Sequence, residues 1–195
     1  MAKTQYFTAT SIDGFIADQH NSLDWLFAIS DGEDRFSGFF ADVAAMAMGS
    51  TTYEWILDHE QLLDHPDKWR DTYGAMPCWV FTSRDLPRIP GGDITFVRGD
   101  VAPVHAAMAA AAGERNIWLV GGGDLVGQFA DHGLLDEIIL GVAPVTLGAG
   151  APLLPRRLTG RLQLTAADRG GAFAYLTYAV GPPEDTAGRQ GRGPE

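Results

Sequence analysis

The sequence has almost no cysteine. Cys78 stands alone among 195 residues, which excludes an internal disulfide framework and suits a reducing compartment. Within CWVF it reads as a buried strand residue rather than a reactive thiol. Positive charge is also scarce. Lys and Arg number 14 against 25 Asp and Glu, a formal net charge of −11. That balance excludes a general nucleic-acid binder, but not a small anionic ligand held by a few local donors. No apolar run reaches the roughly eighteen residues of a membrane-spanning helix, and MAKTQYFTATSIDGFIA lacks the apolar centre of a signal peptide. Neither nucleic acid nor membrane is therefore expected as a partner, and a cytoplasmic location is expected. Histidines are few and badly spaced for a metal. His59 and His65 do not form H-E-x-x-H, while His20, His105 and His132 are scattered, so no metal site is expected. There is no G-x-S-x-G nucleophile motif and no internal repeat.

What is present is a pattern of short apolar runs alternating with amphipathic segments. KTQYFTAT, AAMAMG, PCWVFTS, ITFVRG, NIWLVG and LLDEIILGVAP read as strands, and SIDG breaks the first of them. SLDWL and the following ISDGED read as loop, and a helix is expected from near Asp34 through Val43. TYEWILDHE is a second helix, with Ser50 or Thr51 as N-cap and Glu54 completing a capping box. Residues 61–76 read as irregular, VAPVHAAMAAAAG as a helix ended by Gly113, and RLQLTAADRGGAFAYLTYAV as a hairpin around Gly170 and Gly171. The expected fold is an α/β mostly parallel central sheet with an antiparallel C-terminal hairpin and helices on both faces. Residues 1–181 form one domain in this reading, and 182–195, which lack large apolar residues, a disordered tail.

The stretch WLVGGGDLVGQF, residues 118–129, places three glycines between a strand and a helix. It fails both G-x-G-x-x-G, because Val126 stands where the third glycine belongs, and the Walker A pattern. Two readings remain, a tight turn or a phosphate cradle of bare N–H groups at a helix N-terminus. Two more strand ends share the same sheet edge: Gly49, Ser50, Thr51 and Thr52 in one, and Thr82, Ser83 and Arg84 in the other. Hydroxyls, free N–H groups and a guanidinium are the donors that phosphate oxygens require.

Taken in order, SIDGFIAD at 11–18, MGSTTYE at 48–54, VFTSR at 80–84, VGGGDLVGQF at 120–129 and LLDEIILGVAPVTLGAGAPLL at 134–154 resemble the dihydrofolate-reductase-like superfamily. Within it, the chain is most similar to the reductase domain of riboflavin-biosynthesis proteins and its stand-alone relatives. The resemblance implies a dihydrofolate-reductase-like fold and an NADPH-dependent reductase. It implies that Val120, Gly121, Gly122, Gly123, Asp124, Leu125 and Val126 surround the cofactor pyrophosphate, with Asp124 as an outward-facing N-cap. Gly49, Ser50, Thr51 and Thr52 would serve the adenosine side, Thr82, Ser83 and Arg84 the 2′-phosphate, and Ala9, Ile16 and Ala17 the nicotinamide.

Two departures bear on function. Ser50 stands where dihydrofolate reductases usually carry a basic residue, which leaves Arg84 as the local counter-charge and NADH as an open alternative to NADPH. Phe15 stands where riboflavin-pathway reductases commonly carry Lys or Arg, which argues against a ribosyl-phosphate substrate. Glu33 or Asp34 falls where the family's catalytic carboxyl would be, and Asp34 is the candidate. Trp25, Phe36, Phe40, Tyr53 and Trp55 could line a flat pocket or pack in the core, and Trp25, Phe36 and Trp55 are taken as substrate-facing. Asp13 reads as a turn-former. The expectation is hydride transfer to a small pterin- or pyrimidine-type heterocycle, with a non-catalytic nucleotide-binding module as the alternative. A homodimer is expected through an antiparallel edge near LLDEIILGVAP.

Overall fold

The computed structural model describes residues 2–32 and 34–183. Its strands are β1 (Thr4–Thr10), β2 (Phe15–Ala17), β3 (Val43–Gly49), β4 (Cys78–Phe81), β5 (Ile94–Val97), β6 (Asn116–Gly121), β7 (Glu137–Val142), β8 (Ala151–Pro152), β9 (Leu162–Gly170) and β10 (Phe173–Val180). Its helices are α1 (Asp24–Phe27), α2 (Phe36–Phe40), α3 (Ser50–His59), α4 (Asp67–Tyr73), α5 (Val101–Ala112) and α6 (Gly123–Asp131). Eight strands form one sheet in the order β5-β4-β3-β6-β1-β7-β10-β9, and β2 pairs with β8 beside it. The strands from β5 to β7 are parallel, and β10 runs antiparallel to both β7 and β9.

Strand periodicity explains why β3 and β6 read as continuous apolar runs. Alternate residues serve opposite faces of a sheet, so a strand covered on both sides has no polar face. In β3, Val43, Met46 and Met48 pack with Tyr53, Ile56 and Leu57 of α3 and Trp69 of α4. Ala45 and Ala47 join Ile117 and Leu119 of β6 against Met108 of α5 and Phe129 of α6. Cys78 lies in the first of these layers, where burial pushes its thiol pKa well up and keeps it protonated.

Several local expectations give way to the fold. Residues 61–76 contain α4, whose buried residue is Trp69 and whose N-cap is Pro66. Its two core-facing aromatics, Trp69 and Tyr73, are one turn apart, too short a repeat to read as a helix from the sequence. SLDWL contributes the short α1, and Val43 opens β3 rather than ending a helix. The expected capping box at α3 does not form. Gly49 is the N-cap with no side-chain hydrogen bond, and the Glu54 carboxylate goes to Arg84 instead. The apolar run LLDEIILGVAP lies two strands in from the antiparallel edge, with β7 paired by β1 and β10. The edge beyond the hairpin is β9, where Leu162 and Leu164 are exposed. The tail expected from 182 onward falls, from residue 184, outside the described residues, as does Glu33. No described helix is long and apolar enough to cross a membrane.

A polar knot ties β1 to α5. The Thr4 hydroxyl bonds His105 Nε2 at 2.8 Å, and the Thr4 N–H donates to Asp136 at 2.7 Å. Burial lowers the pKa of His105 from its ordinary 6.5, outweighing the opposing pull of Asp136. An unfolded chain then takes up the proton first, so this contribution to stability is present above the ordinary histidine value and lost as pH falls through it. The melting temperature should fall as pH drops through the ordinary histidine value of 6.5, and His105→Gln should flatten that part of the profile. A variant that kept the wild-type slope in thermal melts would assign the effect elsewhere.

Candidate functional site

The site grows from two adjacent strand ends. β3 ends at Gly49 and β6 at Gly121, and each feeds directly into a helix, α3 or α6. The two helix starts lie side by side: a Cβ on Gly49 would sit 3.8 Å from both the Gly121 carbonyl oxygen and the Gly122 nitrogen. Each helix presents first-turn N–H groups without intrahelical partners and the positive end of its dipole. Two such ends converging on one gap are suited to an anion with several oxygens.

The three glycines of the run answer to three different demands. Gly121 has φ +144°, a conformation L side chains rarely adopt, and lies over the Thr52 hydroxyl. Gly123 is buried, and a Cβ there would land on the carbonyl oxygens of Pro152 and Leu153. Gly122 is different: its φ of −82° and ψ of 177° suit any residue, and a Cβ there would meet nothing within 4 Å. Of the three, only Gly122 would turn a Cβ into open space.

α6 is fixed from below and from the side. Leu125, Val126, Phe129 and Ala130 are buried, and Leu125 also lines the cavity on the β4 side. Val120 is half-buried on the other side of the sheet. Asp124 is not the N-cap, which is Gly122; it lies in the first helical turn. Its carboxylate pairs with Arg156 at 3.0 Å and accepts from Gln128 at 3.0 Å, while Arg156 lies across Gly127 and bonds Asp131 at 2.8 Å. The acidic charge beside the gap is thus offset by a guanidinium.

On the β4 side, a cavity of about 320 Å³ brings together Ser50, Thr82, Ser83, Arg98, Gly99 and Gln128. It unites the three segments that the sequence placed at one edge and adds Arg98, which motif reasoning missed. The available signal was positional: Phe81 pairs with Val97 in the β4–β5 register, so FVRG ends where VFTSR ends. Arg84 turns outward into a neighbouring cavity of about 310 Å³ that Arg88 and Arg98 also line. There its two terminal nitrogens bond both Glu54 oxygens, at 2.8 and 2.5 Å. The Thr82 hydroxyl accepts the Arg84 N–H at 2.9 Å, stabilising that turn.

On the β1 side, Ala9 pairs with Gly141 and lines a cavity of about 290 Å³ with Phe7, Ile29, Asp34, Phe36 and Tyr175. Ile16 and Ala17 do not line it; they lie in β2, which contacts β1 and is held against β8. The Asp13 carboxylate anchors this corner by accepting from Ser11 Oγ at 2.6 Å, Gly148 N at 2.7 Å and Leu147 N at 3.1 Å. Those bonds hold Asp13 below the usual carboxylate range, which fits a turn-former. Asp34 is held low as well, chiefly by the Ser37 hydroxyl at 2.6 Å and the Ser37 N–H at 3.1 Å. It faces the cavity as a carboxylate, an acceptor rather than a proton donor.

The aromatic candidates divide. Phe36 lines the β1-side cavity. Trp25 precedes Leu26, which also lines it, and the indole Nε1 of Trp25 is buried without a partner among the described residues. Trp55 does not line that cavity; it stacks on His59 at 4.4 Å, and His59 stacks on Phe27 at 5.2 Å. Tyr53 is fully buried with its hydroxyl donating to the Pro87 carbonyl at 2.7 Å, and Phe40 packs on Phe36 and Trp118.

Comparison with known proteins gives the family and the fold. The profile of a family described as the RibD C-terminal domain matches residues 2–171. The uncharacterized protein YwjB of Bacillus subtilis is 31% identical over 179 residues, covering 90% of this chain and 97% of its own. A solved Shewanella sp. PV-4 protein, provisionally assigned to riboflavin biosynthesis, superposes with a TM-score of 0.73 at 24% identity, over 92% of this chain and 99% of that one. Dihydrofolate reductase of Enterococcus faecalis, solved as a complex with NADP(H), gives a TM-score of 0.57 at 15% identity over 91% and 96% of the two chains. The two structural matches establish the fold as dihydrofolate-reductase-like.

Proposed function

We propose, because this chain belongs to the RibD C-terminal domain family, that it is an NAD(P)H-dependent reductase acting on a small pterin- or pyrimidine-type heterocycle. The observation that carries this reading is the gap between the N-termini of α3 and α6, where Gly122 leaves open space that a side chain would fill. In this reading a dinucleotide would lie across it. Backbone N–H groups of Gly122 and the first turns of both helices would receive the pyrophosphate. The cavity at Ser50, Thr82 and Arg98 would hold the adenosine end, and Ala9, Ile16 and Ala17 would border the nicotinamide.

When bound, the nicotinamide supplies the hydride. What this chain contributes is positioning and exclusion of water. Phe7, Ile29 and Phe36 give the β1-side cavity apolar walls suited to a flat ring, and Asp34 offers it a carboxylate acceptor for a ring N–H. An ionised Asp34 takes up a proton only if an apolar substrate closes over it and raises its pKa. Titration with NADPH, followed by fluorescence, should saturate, and reduced cofactor should be consumed with at least one compound of a pterin, pyrimidine and quinone panel. Absence of binding at millimolar NADPH would overturn the proposal. Saturable binding with no turnover across the panel would favour a nucleotide-binding module without catalysis, a reading supported by the hydrogen bonds that keep Asp34 ionised.

A further inference from the structure

Resting on the reading of this edge as a dinucleotide groove, we propose that Glu54 holds Arg84 out of the groove and that Arg98 sets the preference between the 2′-phosphorylated and unphosphorylated cofactor. The cations near the adenosine end are Arg84, Arg88 and Arg98, and Ser50 adds none. They are unequally committed. Arg84 is bound through both terminal nitrogens to both oxygens of Glu54, the strongest geometry a carboxylate can offer a guanidinium. Its backbone N–H is taken by Thr82 as well. Arg88 donates to the Ile94 carbonyl at 2.9 Å and lies 4.9 Å from the centre of the Phe96 ring. Among the described residues, Arg98 has a single long contact, 3.4 Å to Asp85, a carboxylate that is fully exposed and so well screened.

Place decides the same way. Arg98 lines both the cavity at Ser50 and Ser83 and the outer one, whereas Arg84 lines the outer one alone. A phosphate monoester reaching Arg84 would have to displace Glu54 and would meet its negative charge on the way. One reaching Arg98 displaces only the loose contact to Asp85. Glu54 therefore lowers the advantage of the 2′-phosphate without touching it, and the chain discriminates between the two cofactors less than the number of its arginines suggests.

The test is calorimetric titration of the full chain with NADPH and with NADH, in wild type, Arg98→Gln, Arg84→Gln and Glu54→Gln, each checked for folding by its thermal melt. Arg98→Gln should cut the NADPH-to-NADH affinity ratio about tenfold, the scale of one lost charge-assisted contact, whereas Arg84→Gln should change it less than about twofold. Glu54→Gln should release Arg84 and raise NADPH affinity about threefold with NADH affinity unchanged. The reverse pattern, a ratio that collapses in Arg84→Gln and survives in Arg98→Gln, overturns the assignment while leaving the dinucleotide reading intact. Failure of wild type to bind either cofactor overturns that reading, and this assignment with it.

Discussion

Gly122→Val is expected to abolish measurable NADPH binding while the protein stays folded. The backbone of Gly122 has φ −82° and ψ 177°, dihedrals open to β-branched residues. A side chain there projects into open space and touches no protein atom within 4 Å of its Cβ. In the proposed reading that same space holds the pyrophosphate, within reach of the N–H groups of two helices. Each charge-assisted hydrogen bond lost is worth about 1.5–3 kcal/mol, so forfeiting two weakens binding by a factor on the order of hundreds. Calorimetry should show no saturable heat, and the thermal melt should match wild type. Wild-type affinity in this variant would return the glycine run to a plain turn.

One residue along, the outcome should invert. Gly123→Val is expected to destabilise the protein by about 3 kcal/mol or more, the upper range for overpacking a rigid site. The obstacle is backbone, namely the carbonyl oxygens of Pro152 and Leu153, which cannot rotate aside. Leu153 is fixed in turn by its N–H to Gly14 at 2.9 Å and by the Tyr6 hydroxyl at 3.2 Å. For a chain of this size the melting temperature should drop on the order of 10 °C. A Gly123→Val protein that melted like wild type would mean that the segment at 152–153 yields, and that α6 does not depend on close approach to it.

The neighbouring pair of variants separates what WLVGGGDLVGQF could tell on its own from what it could not. Three glycines after an apolar strand announced a strand-to-helix turn, and the apolar face of Leu125, Val126, Phe129 and Ala130 announced the helix. Which glycine served packing and which left room for a ligand depended on Pro152 and Leu153, some thirty residues away in the chain. The sheet was legible because its central strands are covered on both faces and so are apolar throughout, as in β3 and β6. α4 was not, since Trp69 is its one buried side chain. β2 and β8 were equally hidden; they are three and two residues long and exist through pairing with each other.

At the site, the edge carrying Ser50, Thr82 and Ser83 was legible from residue types at strand ends, and the cavity there joins them. The fate of each charge was not. Glu54 sits at capping-box spacing from Thr51, yet its carboxylate meets Arg84, thirty positions on in sequence, a pairing that no motif announces. Arg98 carries no motif and enters the cavity through the β4–β5 register alone. Local signals fix helix starts and strand runs; partner choice among exposed charges is settled by tertiary geometry.

The seat of the dinucleotide is tested most directly by a crystal structure of the protein with NADPH bound. The expected result is a pyrophosphate within hydrogen-bond distance of the Gly122 backbone, between the first turns of α3 and α6, with the nicotinamide against Ala9 and the 2′-phosphate beside Arg98. A cofactor bound at any other edge of the sheet, with the gap at Gly122 closed by protein, would contradict it.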